Sequence, residues 1–154
     1  YREAYRRYKI TVPFRVYAKR TIYLHSSAYF NVNNRIRKFN KHHFKHSFKV
    51  IGVIRRDDGQ ICYRVKGGYI TADKSAVTNA YEYSLPRKVK VIDPNGIYSH
   101  KDKHFDAGNR MQFIKRGTRL KVADVVRDGN AARFMLKNGM FITSNKTRVK
   151  KSLF

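Results

Sequence analysis

The chain has 154 residues, of which 35 are Lys or Arg and only 10 are Asp or Glu, a formal charge of +25 at pH 7. A hydrophobic share of 42% suffices for a packed core and excludes wholesale disorder, while no apolar run approaches the roughly 20 residues of a membrane span. The single cysteine, Cys62, excludes an internal disulfide framework and a cysteine-rich zinc module.

A small domain needs only about 2 to 8 units of charge for solubility, and a larger excess costs stability by self-repulsion, so the surplus points to a negatively charged partner. The distribution says the same. Between Tyr5 and Arg56 there is no Asp or Glu at all, a pattern expected of a polyanion site. Because the chain opens on Tyr1, it reads as a portion of something longer, with its targeting signals elsewhere.

In chain order, residues 1–12 form a basic lead-in. A first repeat follows over 13–80, then a short junction over 81–85 and a second repeat over 86–154. The repeat is visible in residues 22–36 (IYLHSSAYFNVNNRI) and 97–111 (IYSHKDKHFDAGNRM), where Ile, Tyr, His, Phe, Asn and Arg recur 75 positions apart. Downstream, Phe48-Lys49-Val50 answers Leu120-Lys121-Val122. Gly68-Tyr69-Ile70-Thr71 answers Met140-Phe141-Ile142-Thr143. The first copy carries about three extra residues in its His-rich stretch over 40–47.

Within each copy the apolar residues alternate, as in Phe14-Arg15-Val16-Tyr17, Val89-Lys90-Val91-Ile92 and Leu120-Lys121-Val122-Ala123, which predicts short strands with one face inward. Asp57-Asp58-Gly59 and Asp128-Gly129-Asn130 are hairpin signals, and Lys115-Arg116-Gly117-Thr118 marks another turn. Helical periodicity is weak throughout. About five short strands in about 65 residues predict a small bent barrel for each repeat, so the expected fold is all-β. Cys62, within Ile61-Cys62-Tyr63, reads as a small buried hydrophobe.

The Gly-Tyr-Ile-Thr-Ala stretch with its Lys and Val over 68–77, the turn and strand over 116–122, and the second copy over 141–149 together resemble the cell-surface attachment repeats of lactobacilli. These are the surface-layer-protein attachment domains and their bacterial Src-homology-three-like relatives. The first copy departs from the pattern, with Lys45-His46-Ser47 where Arg116-Gly117-Thr118 stands in the second. The resemblance implies two tandem Src-homology-three-like barrels in a secreted Lactobacillus-type surface protein, attached without covalent bonds to the Gram-positive cell wall. It implies adhesion through teichoic or lipoteichoic acid, or through peptidoglycan.

The candidate polyanion-binding residues are Arg35, Arg37, Lys38, Lys41, Lys45, Arg55 and Arg56 in the first copy, with Arg110, Lys115, Arg116 and Arg119 in the second. Arg can grip a phosphate bidentately and Lys acts as a compact point charge. Tyr23, His25, Tyr98 and His100 have two readings. They could form an aromatic and hydrogen-bonding platform beside the basic groove, or Tyr could pack in the core while His caps a turn; the second is preferred. The run His42-His43-Phe44-Lys45-His46 lacks a neighbouring carboxylate or thiol and is not read as a zinc site. Its imidazoles would add positive charge below about pH 6.5 and so strengthen polyanion binding in acid.

No metal or other cofactor is expected. The acids are scattered, Asp102 and Asp106 look like turn residues, and no nucleophile or phosphate-loop motif occurs, so no catalysis is expected either. The reading is a wall-associated extracellular binding module. A nucleic-acid-binding small-barrel protein is the alternative, and an adhesin for acidic host glycans the third possibility.

Overall fold

The computed structural model describes residues 5–8, 13–40 and 47–153. The chain forms two compact units, Tyr1–Asn79 and Ala80–Phe154. The protein is all-β: among the described residues there are sixteen strands, two single-turn 3-10 segments and no α-helix.

The first unit contains β1 (Tyr5–Tyr8), β2 (Phe14–Ala18), β3 (Ile22–His25), β4 (Arg35–Phe39), β5 (Ser47–Val50), β6 (Gly52–Arg56), β7 (Ile61–Val65), β8 (Gly68–Thr71) and β9 (Val77–Asn79). They form a six-stranded sheet in the order β1-β6-β7-β8-β3-β4 and a three-stranded one, β5-β2-β9. The second unit contains β10 (Lys88–Val91), β11 (Ile97–His100), β12 (Arg110–Ile114), β13 (Arg119–Asp128), β14 (Ala131–Leu136), β15 (Phe141–Thr143) and β16 (Val149–Lys151), in the order β12-β11-β15-β14-β13-β10-β16. Every pairing is antiparallel. The chain path of β2 to β9 thus recurs as β10 to β16. The interruption at Ile51 that separates β5 from β6 is absent in the second copy, where one ten-residue strand pairs with β10 at its start and with β14 along the rest.

Alternation explains the cores. The inward positions of the strands gather Val16, Val50 and Ile70 in the first unit, and Val89, Val91, Ile97, Phe134 and Ile142 in the second, all at most 1% exposed. Each such side chain contributes about 1.5–3 kcal/mol by leaving water. The hairpin glycines Gly59 and Gly129 have φ of 84° and 61°, the left-handed conformation a tight turn requires and a side chain disfavours. Pairing among the described residues leaves β4 and β12 as sheet ends, each exposed at every position but its last. It therefore gives open antiparallel sheets rather than closed barrels.

A loop then folds back over the outer face of each sheet. In the first copy Asn31 caps the 3-10 turn, its side chain accepting from the amides of Asn33 and Asn34. Ala28 from this loop packs with Ile54 and Cys62, with Phe30 and Tyr69 against them. In the second copy Asp106 is the cap, accepting from the Asn109 amide, and Asp102 accepts from the His104 amide. Lys103 and Arg133 stand where Ala28 and Cys62 stood. The carbonyl of Ala28 accepts from the Cys62 thiol at 3.9 Å and from Arg56 at 3.4 Å; that of Lys103 accepts from Arg133 at 3.2 Å. One buried anchoring point is kept by different chemistry in the two copies.

The copies also protect their exposed edge differently. In the first, β1 lies along β6, pairing Arg6 with Arg55 and Tyr8 with Val53. In the second, the corresponding backbone groups of β13 are met from within. The Asp124 carboxylate accepts from the Val125 amide at 2.8 Å, and the Lys103 ammonium donates to the Arg127 carbonyl at 3.1 Å. An unpaired strand edge invites association with other chains, and in both copies backbone groups along this edge are already engaged.

Candidate polyanion-binding surface

The repeated Ile-Tyr-x-His motif occupies β3 and β11, beside the edge strands β4 and β12. Ile22 and Ile97 enter the cores, 4% and 1% exposed. A register shift follows. Leu24 pairs with Arg37 but His25 with Arg35, leaving Ile36 as an extra residue; in the second copy the shift falls between Tyr98 and His100. Such a bulge re-aims the side chains around it. Here it sets Arg35 over the Tyr23 ring, 3.9 Å from its centroid, and Arg110 over Tyr98 at 4.4 Å.

The two histidines do not belong to an open platform. His25 and His100 are 7% and 8% exposed, and they stack on Phe30 and Phe105 with centroids 4.2 and 4.0 Å apart. His25 Nδ1 lies 2.6 Å from Asn34 Oδ1. The corresponding atoms of the second copy, His100 Nδ1 and Asn109 Oδ1, are both buried and have no hydrogen-bond partner among the described residues. Burial, aided by Arg110, lowers the His100 pKa below its ordinary value. The tyrosines remain accessible, Tyr23 half-buried and Tyr98 40% exposed.

Arg37 and Lys38 also lie on β4 and are exposed; Lys38 is the ladder partner of Tyr23, and Arg37 reaches over the Phe39 ring at 4.9 Å. In the second copy these positions are Gln112 and Phe113, and the Phe113 ring meets Tyr98 edge-on at 5.4 Å. Lys115 and Arg116 lie exposed at the turn after β12, and Arg55 is exposed on β6. Arg56 is committed inside the protein. Its guanidinium bonds Asp58 at 2.6 Å and lies over the Tyr29 ring at 4.9 Å. The Asp58 hydrogen bond holds its pKa above the ordinary value, and with its donors engaged by Asp58 and the Ala28 carbonyl the guanidinium is already paired within the chain. Lys41 and Lys45, with the histidines at 42, 43 and 46, lie outside the described residues.

Arg119 belongs to a larger arrangement. On the outer face of β13, β10 and β16, Arg119 pairs with Lys90 and Lys90 with Lys150, so three cations stand side by side across three strands. Beside them Lys88 pairs with Lys121. Arg119, Lys121 and Lys150 are exposed and Lys88 and Lys90 half-buried. None of the five forms an ion pair among the described residues. Directly opposed side chains sit about 4.5–5.5 Å apart, and like charges in that position destabilise a sheet. The first unit has a related pair, Arg15 opposite Lys49 on β2 and β5, with Arg15 also bonded to the Ser47 hydroxyl at 2.9 Å. Lys88, Lys90, Lys121 and Lys150 were not among the residues singled out from the sequence. The signal was present, since Lys90 and Lys121 are the outward positions of two predicted alternating strands.

Among the described residues no group of three or more His, Cys, Asp or Glu side chains could hold a metal. Cys62 is buried, which pushes its thiol up to about 11 and leaves little thiolate at neutral pH. No helix is long and apolar enough to cross a membrane.

Residues 81–149 are similar to a family described as a domain of unknown function, DUF5776. The match lies within the second unit and covers a little under half of the chain. No curated protein sequence matches it significantly.

Proposed function

We propose that the chain is a non-catalytic, two-repeat module that attaches a secreted bacterial surface protein to the Gram-positive cell wall. Its ligands are anionic wall polymers, teichoic or lipoteichoic acid, held by cationic faces on small Src-homology-three-like repeats. The observation that carries this reading is Lys90, flanked by Arg119 and Lys150 on adjacent strands and opposed by no acid among the described residues. A stack of like charges is costly in the free protein and becomes favourable when a polyanion crosses it. A flexible polyphosphodiester lying over such a row releases counterions, so affinity falls steeply with salt. Two similar modules on one chain add avidity on a repeating polymer.

The test is retention on purified Gram-positive walls before and after acid extraction of teichoic acids, with RNA as competitor. The reading expects binding to fall sharply on extraction and to resist RNA at matched phosphate. Undiminished binding to extracted walls points to peptidoglycan and contradicts the polyanion mechanism. Full displacement by RNA favours a nucleic-acid partner.

A further inference from the structure

Six residues are identical at matching positions of the two motifs, and the structure accounts for four of them internally. Ile22 and Ile97 fill the cores. His25 and His100 stack on Phe30 and Phe105. Asn34 and Asn109 tie their loops by donating from Nδ2 to the carbonyls of Tyr29 at 2.6 Å and His104 at 2.5 Å.

The remaining two, Tyr and Arg, lie toward the surface and pack on each other as Tyr23–Arg35 and Tyr98–Arg110. Their exposed neighbours on the edge strands have diverged: Ile36, Arg37 and Lys38 are Met111, Gln112 and Phe113 in the second copy. Neither Arg35 nor Arg110 has a hydrogen bond or an ion pair among the described residues. Each guanidinium therefore uses its face on a tyrosine and keeps its in-plane N–H donors free.

We infer that each Tyr–Arg pair is a recognition site for one phosphodiester and the polyol or sugar carbon beside it, so that the chain carries two such sites. The inference rests on the polyanion reading above and adds what each site recognises. The bulge and the stack hold the arginine fork in place before binding, which cuts the ordering cost that a free surface arginine would incur. The fork then meets two phosphate oxygens, and the tyrosine offers an apolar ring edge and a hydroxyl to the adjoining carbon chain. In the first copy Lys38 adds a second cation at the same face. In the second, Phe113 adds an apolar wall. The first site therefore depends more on salt than the second.

The test is a backbone-amide NMR titration of the full chain with short, deacylated glycerol-phosphate oligomers. Inorganic polyphosphate and a single-stranded RNA oligomer of equal charge serve as comparators. One site at each Tyr–Arg pair is expected, distinct from the contact at the Arg119–Lys90–Lys150 row. Arg35→Ala should weaken the site in the first unit about tenfold, Arg110→Ala the one in the second, and Arg→Lys at either should recover only part of the loss. Tyr23→Leu and Tyr98→Leu should weaken the glycerol-phosphate oligomer more than polyphosphate. The control is Lys66→Ala with Lys137→Ala, which removes the same charge at exposed turns.

If the native chain binds but the double arginine variant matches this control, bulk charge suffices and the inference fails alone. Tighter binding of RNA at the same two pairs overturns the ligand class. Absence of any binding by the native chain overturns both this inference and the function it rests on.

Discussion

His100 lies flat on Phe105, ring centroids 4.0 Å apart and planes 12° from parallel. The stack buries the imidazole, and Arg110 and Arg133 add unfavourable charge, so the folded protein disfavours the protonated form. A histidine with a folded pKa below its unfolded value of about 6.5 binds protons more readily when unfolded. Its contribution is therefore complete above that value and is lost as pH falls through the lowered folded pKa. The second unit should melt at a lower temperature at pH 5 than at pH 7.5, and His100→Gln should flatten that dependence. Melting curves of both proteins across this range check it.

Gly68 begins β8 where the second copy has Met140, yet the two positions are not interchangeable. A Cβ on Gly68 would lie 2.3 Å from the His25 carbonyl oxygen and 3.1 Å from a Leu24 methyl. The closest obstacle is backbone, which cannot step aside as a flexible side chain could. Gly68→Ala should therefore destabilise the first unit by roughly 2–3 kcal/mol, measured by chemical denaturation. An effect within experimental error would mean that β3 and β8 are further apart.

The two edge devices can be separated experimentally. A chain beginning at residue 13 loses β1 and leaves the outward backbone groups of Val53 and Arg55 without their partners. It should show faster amide exchange along β6, with self-association on sedimentation, while β13 is unaffected. Asp124→Ala should do the reverse, raising exchange at the Val125 amide alone.

The sequence made the strands legible because alternation is a local property, and it made the duplication legible because the motif residues recur in register. The hairpin turns at Gly59 and Gly129 could be read for the same reason. The cationic row could not. Lys90 and Lys121 were visible as outward positions, but that Arg119 and Lys150 flank Lys90 depends on β10 lying between β13 and β16, a long-range pairing. The commitment of Arg56 to Asp58 was nearer to hand, since a hairpin at Asp57-Asp58-Gly59 turns the acid back toward it. The exchange of Ala28 and Cys62 for Lys103 and Arg133 looks like divergence in sequence, and only the shared carbonyl anchor makes it one solution.

The most direct test of the account is Lys90→Gln, read for stability and binding together. Removing the middle charge of the Arg119–Lys90–Lys150 row should stabilise the free second unit by about 0.5 kcal/mol. The same change should weaken binding to purified teichoic acid and lower the slope of log affinity against log salt by roughly 0.7–0.9, the loss of one phosphate contact. Opposite signs in the two readouts are the expected result. Unchanged affinity and salt slope in Lys90→Gln, with teichoic acid bound by the native chain, would contradict a polyanion crossing this row.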